Sequence, residues 1–165
     1  MSVEFNAREI YDMGVQIEQN GMQFYEAAAK KSSNAPVKDL FKELAAWEAQ
    51  HVELFRKLRD GLPKNAGPAE IHDPEGEAAL YLQATADSHV FMKELDIVGL
   101  VAEFKDPLTI LNYALTFEKD SVVFYTTMKK VVAPGLGQDT IENLIDEEIK
   151  HIGMLIDRQK KLVAS

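Results

Sequence analysis

Glu18-Gln19-Asn20-Gly21-Met22-Gln23-Phe24-Tyr25 and, further on, Glu48-Ala49-Gln50-His51 decide the fold, because their key residues return one hundred positions later. Glu118 and Tyr125 repeat Glu18 and Tyr25. Glu148 and His151 repeat Glu48 and His51. An internal repeat of this kind constrains the architecture before any local propensity does. Here it consists almost wholly of residue types that bind metals.

Residues three or four apart share one face of an α-helix. Glu48 and His51 can therefore reach one ion, as can Glu148 and His151. Glu18 and Tyr25, seven apart, lie two turns along a similar face, as do Glu118 and Tyr125. If all four segments are helices, their marked faces converge in one bundle around four carboxylates and two imidazoles. Carboxylates buried that close repel one another, and some must take up protons. Two divalent cations would neutralise them. Oxygen and nitrogen donors without sulfur suit iron or manganese and tolerate zinc. Glu48 and Glu148, beside the histidines, are placed to bridge two ions, with Glu18 and Glu118 as terminal ligands.

This order of ligands, Glu, Glu-x-x-His, Glu, Glu-x-x-His, resembles the ferritin-like di-iron carboxylate proteins, whose ligand set it repeats. The two Glu-x6-Tyr segments make the chain similar to the bundle domain of rubrerythrin in particular. The resemblance covers residues 6–60 and 106–163 and leaves out the middle. It implies an all-α, ferritin-like four-helix bundle made of two helical hairpins, joined by a long crossover containing a short helix. It also implies two iron ions held by Glu18, Glu48, His51, Glu118, Glu148 and His151. Tyr25 and Tyr125 would lie near the site and hydrogen-bond a ligand carboxylate. Read without the family, either tyrosine is a core residue with a satisfied hydroxyl.

The 165 residues form one expected domain, with repeat halves at 6–61 and 106–163 and a crossover at 62–105. A net charge of -9 argues against nucleic acid and anionic membranes as partners. The absence of cysteine excludes disulfides, thiolate nucleophiles and a cysteine-held iron domain of the rubredoxin type within this sequence. Electrons would then come from an external donor protein. Residues 1–6 carry no basic and apolar leader pattern. No apolar run approaches the roughly 20 residues of a membrane span. A cytoplasmic protein is expected.

Taken in order, the first helix starts at Asn6, a cap residue with Glu9 three positions on, and ends near residues 31–34. Ile10, Met13, Ile17, Phe24 and Ala28 form its buried stripe. Gly14 and Gly21 each weaken the helix by about 1 kcal/mol against Ala. Close packing, access to the site, or no role at all are the readings open for them. The second helix begins around Pro36 and stops at Gly61. Leu40, Leu44, Trp47, Phe55 and Leu58 form its core face. In the crossover, a short helix is expected from Gly76 to Ser88. The apolar stretch from Phe91 to Phe104 would cross the bundle end or form a subunit contact. His72 and His89 have Ala69 and Ala86 where a ligand pair needs Glu, and read as surface or packing residues. The third helix starts with Asp106 as cap and Pro107 in its first turn, and the fourth at Asp139. Asp146 and Glu147 are read as solvated.

The resemblance also shows a departure. Rubrerythrin's third helix carries an extra carboxylate one turn from the first, whereas here Leu115 and Ser121 flank Glu118. The expected function is a reaction of a dinuclear iron site with peroxide or oxygen, an oxidoreductase of peroxidase or ferroxidase type. The alternatives are an iron-binding, ferroxidase-type protein without dedicated peroxidase turnover, and a metal-stabilised helical interaction module. The family and the apolar crossover imply a homodimer.

Overall fold

The computed structural model describes residues 5–64, 73–86 and 96–165. Its helices in chain order are α1 (Ala7–Lys31), α2 (Ala35–Asp60), α3 (Glu77–Ala86), α4 (Ile97–Glu103), α5 (Pro107–Val131) and α6 (Gln138–Val163). The four long helices make two hairpins, α1 with α2 and α5 with α6. Across the bundle α1 meets α5 and α2 meets α6.

Local chemistry fixes the helix starts. The Asn6 side chain accepts from the Glu9 backbone, and the Glu9 carboxylate accepts from the Asn6 backbone, each at 2.9 Å. Asn34 caps α2 through the Val37 N–H at 3.0 Å, and Asp106 caps α5 through the Thr109 N–H at 2.9 Å. Each such cap contributes about 1 kcal/mol. The start of α6 needs glycine. Gly137 has φ 108, and a Cβ there would lie 2.7 Å from Leu58. The Tyr11 hydroxyl closes this end by donating to the Leu136 carbonyl.

Among its described residues the crossover holds two short helices where one was expected. The helix expected from Gly76 to Ser88 is α3. The second, α4, covers the end of the apolar stretch. Its Ile97 and Val101 are buried in this chain's own core, beside α1. Lys31 Nζ donates to the Val101 and Ala102 carbonyls at the end of α4, at 2.9 and 2.6 Å. His72, His89, Phe91 and Leu95 lie outside the described residues. Among those described, no helix is long and apolar enough to cross a membrane.

The apolar core is divided. One cluster contains Ile10, Ile17, Val52, Phe55, Phe117, Phe124, Leu144 and Ile145. The other contains Phe24, Phe41, Leu44, Ala45, Leu111, Ala114 and Leu155. On α1 the first cluster gives way to the second between Ile17 and Phe24, on α2 between Val52 and Ala45, on α6 between Ile145 and Leu155. Those gaps are where Glu18, Glu48, His51, Glu148 and His151 sit. The bundle is thus two apolar layers with a polar layer between them.

One core assignment is corrected. Trp47 is 37% exposed instead of buried. Leu44, Glu48 and His51 occupy the buried arc of α2, and Trp47, one residue before Glu48, falls at its edge. Its ring lies against His151, with centroids 6.1 Å apart.

Candidate metal centre

The six residues singled out by the repeat are all brought together, one or two from each long helix. Glu18, Glu48, Glu118 and Glu148 are at most 1% exposed, and His51 and His151 are 2% exposed. Their donor atoms fall into two groups able to hold a cation: Glu18, Glu48, His51 and Glu148, and then Glu48, Glu118, Glu148 and His151. Within each group the donor atoms lie within 4.8 Å of one another. Glu48 and Glu148 belong to both groups. The two imidazoles stack on each other, with centroids 5.6 Å apart and 25° between planes.

The orientation of individual atoms is more telling than the burial. Tyr25 donates its hydroxyl to Glu118 Oε1, and Tyr125 donates to Glu18 Oε1. Each tyrosine thus reaches across the bundle to the carboxylate of the other repeat. The second oxygens, Glu118 Oε2 and Glu18 Oε2, are buried without a hydrogen-bond partner, as are Glu48 Oε1, Glu148 Oε1 and His51 Nδ1. An unsatisfied buried polar atom costs about 1–3 kcal/mol, and proteins tolerate few of them. Five within one polar layer, on groups whose other atoms are partly satisfied, are what a cation's ligands look like. Glu148 Oε1 lies 3.0 Å from His51 Nδ1 but out of hydrogen-bonding alignment, and Glu18 Oε2 lies 3.4 Å from the same nitrogen. His151 Nδ1 lies 3.1 Å from Glu148 Oε2, 3.6 Å from Glu48 Oε1 and 3.7 Å from Glu118 Oε2.

The electrostatics carry the same message. Burial, with Glu18 and Glu148 nearby, pushes Glu48 well above the usual carboxylate range. Burial and the adjoining Glu148 push Glu118 up to about 8. Burial also disfavours ionised Glu148, but its contacts with His151 and His51 more than offset this and hold it below the ordinary range. The histidines go the other way. Burial opposes their charge, yet the carboxylates push His51 up to about 11 and His151 to about 9. Without a cation the cluster neutralises itself with protons, and a cation would displace them.

One feature escaped the reading of the sequence, and two glycines left open by it are settled by their neighbours. Glu147 is not merely solvated, since its Oε2 lies 2.8 Å from His51 Nε2. Comparing the repeats position by position would have flagged it, because its counterpart is Trp47. Gly21 has a role: a Cβ there would lie 2.8 Å from Glu48 Oε2 and 2.8 Å from Phe117. Gly14 is a packing position, where a Cβ would lie 2.7 Å from the Phe55 ring.

Two surface depressions reach the centre between α2 and α6. One includes His51, Gln50, Leu54 and Asn143 in its lining, the other His151, Glu43, Lys150 and Met154. Trp47 and Glu147 line both. No carboxylate from the turns flanking Glu118 enters either donor group. Ser121 is buried and donates instead to the Phe117 carbonyl at 3.1 Å.

No curated protein matches the chain. Among solved structures, a ferritin-like diiron-carboxylate protein from Thermotoga maritima shares the fold, with a TM-score of 0.68 and 23% identity over 95% of this chain and 96% of that one. The rubrerythrin family model matches residues 6–97, which takes in α1, α2, α3 and most of the crossover that the sequence resemblance left out. That is more than half of the 165 residues, and the chain belongs to the rubrerythrin family.

Proposed function

We propose that the chain is a di-iron protein whose dinuclear site reacts with peroxide or oxygen, with electrons returned by an external donor protein. The observation that carries this reading is the overlap of the two donor groups at Glu48 and Glu148. In this assignment those two glutamates would be shared by the two ions. Glu18 and His51 would complete one position, and Glu118 and His151 the other. When bound, a ferrous pair supplies the two electrons that, with two protons, reduce peroxide to two waters.

The chain's own residues prepare that chemistry. Tyr25 and Tyr125 each hold one oxygen of a terminal glutamate and leave the other free. Such partners orient ligands and tune the metal. The apolar layers on either side exclude water. The depressions beside Trp47 offer a small oxidant a route to the two histidines.

Ser121 favours a second reading. Without a further carboxylate beside Glu118, the site lacks the extra ligand of rubrerythrin's third helix. That suits oxidation or handling of ferrous iron without peroxidase turnover.

The test is anaerobic reconstitution with ferrous iron, followed by metal analysis and absorption spectra before and after peroxide. Two irons per chain, a change to a di-ferric spectrum, and sustained turnover with a competent reductant support the first reading. Iron uptake and a single oxidation without turnover support the second. Absence of bound metal rejects both.

A further inference from the structure

The two donor groups are chemically identical. Each has one terminal glutamate, one histidine and the shared pair Glu48 and Glu148. Each terminal glutamate also takes one tyrosine hydroxyl. Residue type alone gives no inequality between the two positions.

One source of inequality lies at a break in the repeat beside the histidines, Trp47 against Glu147. His51 Nε2 meets the Glu147 carboxylate at 2.8 Å, so its other nitrogen, Nδ1, faces inward at Glu18 and Glu148. The residue matching Glu147 in the other half is Trp47, and its indole lies against His151. Among the described residues, the hydrogen bond and ion pairs of His151 all run through Nδ1. A carboxylate on the outer nitrogen of a ligand histidine fixes its tautomer, holds the ring and raises its basicity. Losing such a partner costs ten- to hundredfold in metal affinity. An indole offers no such acceptor.

We infer that the two metal positions are unequal. Glu147 is a positioning residue that makes the His51 position the tighter one, and the His151 position, beside Trp47, fills second and empties first. This rests on the dinuclear reading above.

The test is an anaerobic calorimetric and spectroscopic titration of the metal-free chain with Co(II), a probe that needs no turnover. The wild type should bind two equivalents in two steps separated at least tenfold. Glu147→Gln should weaken the first step ten- to hundredfold and leave the second within about twofold, bringing the steps together. Glu147→Asp should restore part of the loss. Trp47→Glu, which places a carboxylate at the matching position, should tighten the second step. Circular dichroism and the melting temperature of each metal-free variant separate a folding defect from a binding one. Two equal steps in the wild type would overturn the inference while leaving the dinuclear site intact. So would a first step unmoved by Glu147→Gln in a folded variant. Absence of binding in the wild type would instead reject the reading on which it rests.

Discussion

The hydroxyl of Tyr25 on α1 donates to Glu118 on α5, in the other repeat. Tyr125 mirrors it on Glu18. Neither tyrosine serves the glutamate of its own helix, so the two halves are locked through the polar layer. Replacing Tyr25 by Phe keeps the ring packed and strands Glu118 Oε1 in a fully buried site. Tyr25→Phe should cost the metal-free protein about 1–3 kcal/mol in urea unfolding, and Tyr125→Phe a similar amount. A change within experimental error in both would mean the hydroxyls stabilise nothing.

Gly21 lets the Glu48 carboxylate and the Phe117 ring approach α1. Gly21→Ala gains about 1 kcal/mol in helix propensity but overpacks the site at a cost of about 1–3 kcal/mol. The expected result is a less stable protein with weaker metal binding. Gly153 is the control, since it lies in α6 with nothing within 4 Å of an added Cβ. Gly153→Ala should raise stability by about 1 kcal/mol. Equal effects at the two positions would contradict the close approach at Gly21.

The shared glutamates should be the most sensitive to removal. Glu48→Ala and Glu148→Ala should each lose at least one of the two ions, measured as metal per chain after reconstitution. Glu18→Ala and Glu118→Ala should each weaken only one position. Two ions retained by both Glu48→Ala and Glu148→Ala would refute the ligand assignment.

The protons held by the metal-free centre set its pH dependence. Glu118 titrates at about 8 in the fold against an ordinary 4.5. His51 and His151 titrate at about 11 and 9 against 6.5. Above the unfolded values the native state keeps protons that the unfolded chain has released, so stability falls as pH rises. The depressed Glu148 acts in the opposite sense, but only below 4.5. The melting temperature of the metal-free protein should therefore drop by at least about 5 °C between pH 5 and 9. Metal affinity should rise over the same range, because binding releases those protons. A flat melting profile would show that the cluster is not proton-bound.

The four long helices and the six clustered residues were legible because their signals lie within one helix or between the repeats. Asn6 and Asp106 cap through neighbours three residues away. Glu48 and His51 share a face by spacing alone. What escaped depends on which helix lies opposite. Glu147 precedes Glu148 and looks solvated until α2 brings His51 to it. Trp47 counts as apolar in any periodicity, yet sits at the edge of the buried arc. The second crossover helix, α4, is only seven residues long, too short for a periodic signal.

The divided core has a consequence for how the chain comes apart. Helices ordinarily fray from their ends inward. Here the starts of α1, α2 and α5 are capped by side chains, and without metal the repelling carboxylates add a weak place in the middle of the long helices. Amide exchange around residues 18–21, 48–51, 118–121 and 148–151 should accordingly be faster in the metal-free chain than in the apolar layers on either side, and slow once metal is bound. In mechanical terms the centre is a rivet through the waist of the bundle, and its removal loosens the molecule from the inside.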